Sequence, residues 1–235
     1  MGEVFKFKEF EVNQEGCAMK INTDGVLLGA MVNSDKPSRI LDVGSGTGVI
    51  ALMLAQRFPN AMVDAVDIDQ TAYRRTLENF QVSPFAARMS ARYGDFEIDG
   101  EQEIYDLIVA NPPFYINALH NPDTRKRLAR HTDLDFFKRL IAFASRNLSP
   151  RGSLQLIVPI DVSKDILPYT DSEGLFLVKE VCIRSFDYSE PIRKIMVFSN
   201  ANRQTEESID FVIYQEKGIY SDGYRDILKP FFIAF

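Results

Sequence analysis

Short apolar runs alternate along the chain with segments in which apolar residues recur every three or four positions. The continuous runs predict strands buried on both faces, and the helical spacing predicts amphipathic helices. Glycine and proline mark several boundaries, because neither residue favours the interior of a helix or strand. We therefore expect strands at 5–12, 40–43, 62–68, 88–93, 104–110, 154–158, 175–183, 194–199 and 208–214, and helices at 26–31, 50–58, 70–80, 134–148 and 224–228.

The order of these elements predicts an α/β fold. Strands that alternate with helices form a mostly parallel sheet with helices on both faces, and the closely spaced strands after 175 indicate an antiparallel edge. Thr23 or Asp24 is expected to cap the first helix. The chain has 235 residues, 46% of them hydrophobic, and shows no internal repeat or linker. We expect one domain over 1–235, with a short N-terminal extension at 1–37.

The sequence shows no strong signal for membrane insertion or secretion. No apolar run approaches the ~20 residues of a membrane-spanning helix, and the first ten residues alternate charged and aromatic residues. A secretory signal needs an apolar core there, so we expect a cytoplasmic protein without membrane contact.

Cys17 and Cys182 form no paired-cysteine motif, and His120 and His131 are the two histidines. We expect neither a disulfide framework nor a metal site.

Charge is distributed unevenly along an acidic chain. The formal net charge is −6, but the stretch 115–152 holds eight basic residues against three acids, a local net charge of +5. A positive patch on an acidic body can direct a phosphate backbone to one face of a protein. A solvated loop and helix surface is the alternative interpretation. The patch is compatible with an RNA partner and does not by itself identify one.

A glycine-rich turn follows the strand at 40–43, with the sequence Asp42-Val43-Gly44-Ser45-Gly46-Thr47-Gly48. Glycines allow a sharp turn and a close approach of the backbone to a ligand. The dinucleotide fingerprint would place its third glycine at position 49, which is Val49. The acid-x-G-x-G-x-G pattern instead resembles motif I of the class I S-adenosylmethionine-dependent methyltransferases. Asp42, Gly44, Gly46 and Gly48 are therefore candidate cofactor residues, and a purely structural tight turn is the alternative.

Two further acids have the spacing of a nucleoside-binding site. Asp67 ends the second strand, 19 residues after Gly48, close to the ~20 expected for a carboxylate that accepts hydrogen bonds from ribose hydroxyls. Asp69 is the competing candidate, and Ile68 between them is assigned to the same site. Asp95 follows the third strand and is expected to accept a hydrogen bond from the adenine amino group of the cofactor. A turn-forming aspartate is the alternative interpretation of Asp95.

Asn111-Pro112-Pro113-Phe114 comes directly after the fourth strand. Two prolines end the strand and hold Asn111 and Pro112 extended. The side-chain oxygen of Asn111 and the carbonyl of Pro112 then offer two acceptors to an exocyclic amino group, and Phe114 offers a ring for stacking. Hydrogen bonds to both N–H groups favour a pyramidal nitrogen whose lone pair can attack a methyl group. A strand terminator followed by a packed aromatic ring is the alternative.

The tetrapeptide also resembles motif IV of amino-methyltransferases, which modify adenine N6, guanine N2, cytosine N4 or a glutamine amide. With the segments 5–10, 17–30 and 39–42, it resembles the bacterial tRNA1(Val) (adenine-37-N6)-methyltransferases over nearly the full length, although that family often has tyrosine at the position of Phe114. The resemblance implies a class I Rossmann-like, seven-stranded, mostly parallel sheet with an antiparallel final strand. It implies S-adenosylmethionine as donor, S-adenosylhomocysteine as product and tRNA as substrate. It places Lys20, Thr23 and Asp24 beside the cofactor, with Lys20 also near the RNA entrance.

The stretch 115–132 is long for a loop between a strand and a helix, and such loops are commonly functional. We expect it to fold over the target nucleotide and to contact phosphates, through the basic residues Arg125, Lys126, Arg127 and Arg130. An inert surface insertion is the alternative. An adenine in the anticodon loop can be turned outward at a lower cost than one in a duplex.

Three other functions stay open from the sequence. One is N5-methylation of glutamine in a protein such as a release factor, although such enzymes usually carry a separate N-terminal helical domain. Another is amino-methylation of rRNA. A third is a non-catalytic S-adenosylmethionine sensor, although a sensor would not need the amine-binding tetrapeptide at 111–114. We expect a monomer that needs no obligate protein partner.

Overall fold

The computed structural model describes residues 3–97, 103–112, 122–201 and 207–235, with 122–133 described as backbone only. The chain begins with an antiparallel hairpin, as the alternation of its apolar residues predicts, in which Val12 is fully buried. The elements of the first half are β1 (Val4–Lys6), β2 (Glu11–Asn13), α1 (Thr23–Met31), β3 (Arg39–Val43), α2 (Val49–Arg57), β4 (Met62–Asp67), α3 (Gln70–Val82), β5 (Met89–Tyr93) and β6 (Tyr105–Ala110).

The second half continues the alternation of helix and strand and then changes to closely spaced strands. Its elements are α4 (Pro122–Asn147), β7 (Leu148–Pro159), α5 (Ile160–Ser172), β8 (Phe176–Arg184), β9 (Pro191–Ser199), β10 (Glu207–Val212), β11 (Tyr214–Glu216), β12 (Ile219–Tyr220) and α6 (Asp222–Leu228). β11 and β12 form a small antiparallel pair of their own. None of the helices in the described ranges combines the length and the apolar character needed to cross a membrane.

A mixed sheet forms the centre of the molecule, in the order β10-β8-β9-β7-β6-β3-β4-β5. β9 is antiparallel to both of its neighbours, and the remaining neighbours pair in parallel. The predicted mostly parallel α/β class is confirmed. The reversed strand is β9, which lies inside the sheet, whereas the final strand was expected to be the antiparallel one and β10 is parallel to β8. The described part of the sheet has eight strands rather than the expected seven, because β10 adds an edge strand parallel to β8.

The sheet separates two hydrophobic clusters, as the pleat of a strand requires, since successive side chains point to opposite faces. Ile40 of β3 belongs to the cluster on the face of α1, α2 and α6, and Leu41 belongs to the cluster on the face of α4 and α5. Both side chains are almost fully buried. Because the helices cover both faces, the open part of the fold that remains for a ligand is the edge where the parallel strands end.

Two local predictions are wrong. Asn22, rather than Thr23 or Asp24, caps α1, because its Oδ1 accepts a hydrogen bond from the backbone N–H of Gly25 at 2.9 Å. Helix α5 was not expected between the strands at 154–158 and 175–183, because Pro168 lies inside it and proline normally disfavours a helix interior. The remaining boundaries agree with the predicted elements to within a few residues, except at the start of α4 and at the start of β7, which begins at Leu148 instead of 154.

Candidate active site

The three motif glycines all lie in the left-handed region, but they serve different purposes. A Cβ on Gly44 (φ 73°) or Gly46 (φ 60°) would have no neighbour within 4 Å, so this side of the turn faces open space. A Cβ on Gly48 (φ 76°) would lie 2.8 Å from the ring of Phe80, so Gly48 allows α2 to pack closely against α3. The turn therefore offers bare backbone to a ligand at Gly44 and Gly46.

Asp67 lies directly against the glycine turn. Its Oδ2 accepts a hydrogen bond from Gly46 N at 2.8 Å, and its Oδ1 accepts one from Asp69 N at 2.9 Å. Burial raises the pKa of Asp67, backbone N–H groups oppose that change, and the charge of Asp69 adds to it. Asp69 instead caps α3 by accepting a hydrogen bond from Ala72 N at 2.8 Å. The neighbouring Ile68 is 71% exposed. Of the two competing acids, Asp67 contacts the glycine turn, whereas Asp69 caps the following helix.

Asp42 lies beneath the turn rather than on its open side. Its side chain is fully buried, and its Oδ2 accepts a hydrogen bond from Ala51 N at 3.2 Å, near the start of α2. Its Oδ1 has no hydrogen-bond partner among the described residues. Burial, and secondarily the charge of Asp67, raises the pKa of Asp42 to about 7. In this structure Asp42 supports the helix that follows the turn.

Polar side chains of α3 hold the outer side of the turn. Thr76 Oγ1 donates a hydrogen bond to Gly46 O at 3.1 Å, and Asn79 Nδ2 donates to Thr47 O at 2.8 Å and to Asn13 O at 2.9 Å. Both side chains are buried. Sequence reasoning missed them, although two polar residues three positions apart on the buried face of a helix are a signal that could have been used.

Asn111 follows β6 at the same edge of the sheet. β3 and β6 are parallel neighbours in which Val43 pairs with Ala110, so Gly44 and Asn111 are the next residues on adjacent strands. The N-terminus of α1 lies close to Asn111, since a Cβ on Gly25 would lie 3.5 Å from Asn111 Nδ2 and 3.5 Å from Asn22 Oδ1. Pro112 is buried, whereas Pro113 and Phe114 lie outside the described residues.

The segment before α1 reaches the same edge. Asp24 Oδ2 accepts a hydrogen bond from Arg193 Nε of β9 at 2.8 Å, which connects α1 to the sheet. Thr23 and Lys20 are exposed to solvent. The structure therefore brings Thr23 and Asp24 near Asn111, but the carboxylate of Asp24 is already paired with an arginine.

Asp95 is held by a basic residue of α4. Arg139 Nη2 donates to Asp95 Oδ2, Arg139 Nε donates to Glu97 Oε2 at 2.6 Å, and Asp95 Oδ1 accepts from Glu97 N at 3.0 Å. The guanidinium also lies 5.3 Å from the ring centre of Phe96. Burial acts to raise the pKa of Asp95, but the bonds from Arg139 and from the backbone of Glu97 lower it overall. From the sequence, Arg139 was only one of the eight basic residues in the stretch 115–152, with no predicted contact to Asp95.

The basic residues predicted to bind RNA lie in a helix instead of a loop. Arg125, Lys126, Arg127 and Arg130 belong to the first turns of α4, so the loop prediction for 115–132 is wrong from Pro122 onward. Proline is favoured at the first helical position, and most of the residues that follow it are good helix formers. The rest of that stretch, 115–121, lies outside the described residues.

An open glycine turn, an acid beside it and Asn111-Pro112 after the neighbouring strand are the features expected of a Rossmann-like methyltransferase, and the family comparison shows that class. The methyltransferase small domain family matches residues 17–171. The similarity in fold extends to a crystal structure of a predicted O-methyltransferase from Agrobacterium tumefaciens, with a TM-score of 0.70 and 18% identity over 88% of this chain and 96% of the other.

Several bacterial relatives have a narrower description. The tRNA1(Val) (adenine(37)-N6)-methyltransferase of Pedobacter heparinus is 43% identical over 235 residues, which cover 100% of both chains. The protein of the same name in Porphyromonas gingivalis strain W83 is 38% identical over 98% of this chain and 95% of its own. The chain belongs to the tRNA1(Val) (adenine(37)-N6)-methyltransferase family.

Proposed function

We propose that this protein transfers a methyl group from S-adenosylmethionine to N6 of adenine 37 in tRNA1(Val). The observation that carries the proposal is the pairing of Val43 with Ala110, which puts Gly44 and Asn111 directly after the ends of adjacent parallel strands. Adjacent strands lie about 4.8 Å apart. A methyl donor resting on the open side of the glycine turn and an amine held by Asn111 are therefore close enough to react.

The residues present fit the donor. Gly44 and Gly46 leave free space where side chains would stand, and Asp67 beside them supplies acceptors for the ribose hydroxyls. Ile68 is exposed at the same place and offers an apolar surface to the adenine ring of the donor. Asp95, oriented by Arg139, provides an acceptor for the amino group of that ring. When bound, S-adenosylmethionine supplies an electrophilic methyl group on a sulfonium.

Asn111 and Pro112 act on the nucleophile. The Asn111 side-chain oxygen and the Pro112 carbonyl accept hydrogen bonds from the two N6 protons and align the nitrogen lone pair with the methyl carbon. With the donor bound, the N–C bond would form as the C–S bond breaks, and the sulfur would keep that electron pair. The positive charge of the sulfonium would pass to the methylated nitrogen. That nitrogen would then release a proton to solvent and become neutral. Phe114 is proposed to stack on the target base.

The RNA is proposed to approach along α4. Arg125, Lys126, Arg127 and Arg130 fall in its first turns, after the Asn-Pro step, and their charges suit the phosphates of an anticodon loop. Lys20 is exposed in the segment before α1 and is proposed to contact the same RNA. This localised basic segment suits contacts to one part of the RNA and does not require an overall positive charge on the protein.

Residues 1–235 are proposed to act as one cytoplasmic domain and as a monomer. The N-terminal hairpin supports a single unit, because Phe7 forms a β-bridge with Phe232 and Lys8 Nζ donates a hydrogen bond to Lys229 O at 2.6 Å. Light scattering after gel filtration should give a mass near 26.7 kDa. A mass of twice that value would contradict the monomer.

The substrate class is tested with radiolabelled S-adenosylmethionine and two acceptors offered separately, total tRNA and release factor. Label is expected in the tRNA, and label in the protein alone would identify a glutamine methyltransferase and overturn the proposal. Asn111→Ala should remove transfer to tRNA and leave affinity for S-adenosylhomocysteine unchanged within about twofold. Asn33→Ala is the matched control, because Asn33 is exposed and only its backbone forms a described hydrogen bond.

A further inference from the structure

The loop between β8 and β9 carries an exposed tyrosine ring that is stacked on a second aromatic ring. Tyr188 is 81% exposed, and its ring lies parallel to that of Phe186, with centroids 5.2 Å apart and an interplanar angle of 5°. One face of Tyr188 is therefore covered by Phe186, and the high exposure leaves the other face to solvent. We call Phe186 and Tyr188 the aromatic step.

The aromatic step is the outer end of a column of rings that begins in the core. Phe186 lies 5.7 Å from Tyr214, Tyr214 stacks on Tyr220 at 5.1 Å, and Tyr220 stacks on Tyr224 at 4.5 Å. Tyr224 is 4% exposed and belongs to the main hydrophobic cluster. The exposed ring is thus supported through successive ring contacts by the body of the protein.

Hydrogen bonds fix the loop that carries the aromatic step. Ser189 Oγ donates to Phe186 O at 2.8 Å and accepts from Phe186 N at 3.0 Å, and Arg184 Nη1 donates to Ser189 O at 2.8 Å. Tyr214 N also donates to Ser185 O at 2.9 Å, which attaches the loop to β11. A ring that is already fixed loses little conformational freedom when a ligand stacks on it.

The aromatic step lies at the edge of the sheet that holds Asn111. β8 runs parallel to β7 and β6, so its end at Arg184 is at the same edge as the end of β6. Three strand spacings separate β6 from β8, a lateral distance of about 14 Å. Arg193, which bonds to Asp24 beside the Asn111 site, pairs with Ile183 near the end of β8.

The side chains of this loop favour binding of a nucleic-acid base and disfavour binding of a phosphate. Asp187 and Glu190 flank Tyr188, and Arg184 is paired with Asp210 at 3.1 Å. Carboxylates repel phosphate, so a ligand on the open ring face would direct its flat apolar side to the ring and its charge away. Unpaired bases of an RNA loop are turned outward and stack on aromatic side chains in this way.

We propose that the aromatic step binds an unpaired base of the substrate RNA other than the adenine that is methylated. This inference rests on the proposed function, because the RNA is the substrate proposed above. The open face of Tyr188 stacks on a second loop base, while Asn111 holds the target. Two contacts beyond the ends of β6 and β8, strands with a lateral spacing of about 14 Å, would fix the orientation of the loop over the active site.

The test measures steady-state methylation and equilibrium binding of a tRNA anticodon stem-loop by Tyr188→Leu, Tyr188→Phe and Tyr188→Trp. Tyr188→Leu keeps the apolar bulk and removes the ring, so we expect the KM and Kd for RNA to rise about tenfold, as loss of one stacked base implies. The KM for S-adenosylmethionine, kcat and the melting temperature should stay unchanged. Tyr188→Phe and Tyr188→Trp should behave as the unchanged protein.

The control is Val82→Ala at the end of α3, because Val82 is 79% exposed and lies away from this edge. Equal RNA affinity of Tyr188→Leu and the unchanged protein would overturn the inference, and so would an equal loss in Tyr188→Phe, which would indicate the hydroxyl. Methylation by the unchanged protein reports separately on the proposed function, so failure of the two proposals is distinguishable.

Abasic substitution in the RNA loop identifies the base. One abasic position other than the target should weaken binding to the unchanged protein about tenfold and weaken binding to Tyr188→Leu no further. Additive losses at every loop position would overturn the proposed contact.

Discussion

Asp42 is an acid in a motif that suggests ligand binding, yet its side chain is enclosed by protein. Its pKa rises from the ordinary 3.8 to about 7, chiefly through burial, and Asp67 contributes in the same direction. Between these two pH values the folded state holds a proton that the unfolded state releases. The contribution of this group to stability is therefore greatest at low pH and is lost as the pH rises toward 7.

Asp42→Asn should remove this pH dependence, because an amide keeps the shape of the side chain and its acceptor for Ala51 N without a charge. Relative to the unchanged protein, the variant should gain on the order of 3 kcal/mol of unfolding free energy between pH 4.5 and pH 8. Denaturant unfolding at several pH values measures the difference. Parallel curves for the two proteins across that range would show that Asp42 does not carry the effect.

Arg139 is the residue through which α4 affects the predicted cofactor site. It bonds to Asp95 and to Glu97, on either side of Phe96. Arg139→Met should free Asp95 and weaken binding of S-adenosylhomocysteine about tenfold, the order expected for a lost charged hydrogen bond. Calorimetric titration measures the affinity.

Arg146→Met is the matched control for Arg139→Met, because Arg146 forms one described ion pair, with Glu97 Oε1 at 3.8 Å, and its side chain is 55% exposed. Equal affinities of the Arg139 and Arg146 variants would show that Arg139 does not position Asp95.

At the scale of elements, helix α2 carries the glycine turn at its start and depends on a distant arginine at its end. Arg88 donates to the carbonyls of Ala55, Phe58 at 3.1 Å and Ala61 at 2.9 Å, and burial lowers its pKa. Ala55 lies in the last turn of α2, where carbonyls lack helical partners, so Arg88 supplies a donor to the end of this helix. Phe58 O also accepts a hydrogen bond from Ala61 N at 3.1 Å.

Arg88→Met should destabilise the protein by about 2 kcal/mol. The melting temperature should fall by about 4–8 °C for a chain of this size. Arg74→Met, at an exposed position of α3, should leave it unchanged within the error of a thermal scan. A similar melting temperature for both variants would contradict the role of Arg88.

The elements differ in how far the sequence predicts them, and the difference is physical. β3, β4 and β6 are short apolar runs, and their predicted bounds agree with the structure because burial on both faces leaves a clear pattern. α5 was missed because of Pro168, and the first turns of α4 were missed because their polar sequence has no apolar stripe. Helices that depend on packing or capping are the less predictable class.

The same contrast applies to the candidate site. The glycine turn and Asp67 could be predicted because their spacing is local to one strand–helix–strand unit. The bonds of Arg139 to Asp95 and of Arg193 to Asp24 join residues 44 and 169 positions apart. No local sequence pattern identifies such partners, because the order of strands in the sheet determines which residues at the strand ends come into contact.

At the scale of the whole molecule, the sheet divides the protein into two cores and leaves one edge for chemistry. The glycine turn, Asp67, Asn111, the start of α1 and the β8–β9 loop all belong to that edge. The net charge of −6 is opposed there by the basic start of α4. An acidic body with a local basic segment would orient RNA toward this edge and disfavour binding elsewhere.

The most direct measurement maps N6-methyladenosine in tRNA1(Val) from a strain that lacks the gene, complemented with either the unchanged gene or Asn111→Ala. Mass spectrometry of digested tRNA should find the modification at adenine 37 with the unchanged gene and should find unmodified adenine with the variant. Methylation at adenine 37 in the uncomplemented strain would contradict the proposed activity. Full methylation by Asn111→Ala would contradict the claim that Asn111 and Pro112 hold the reacting amine.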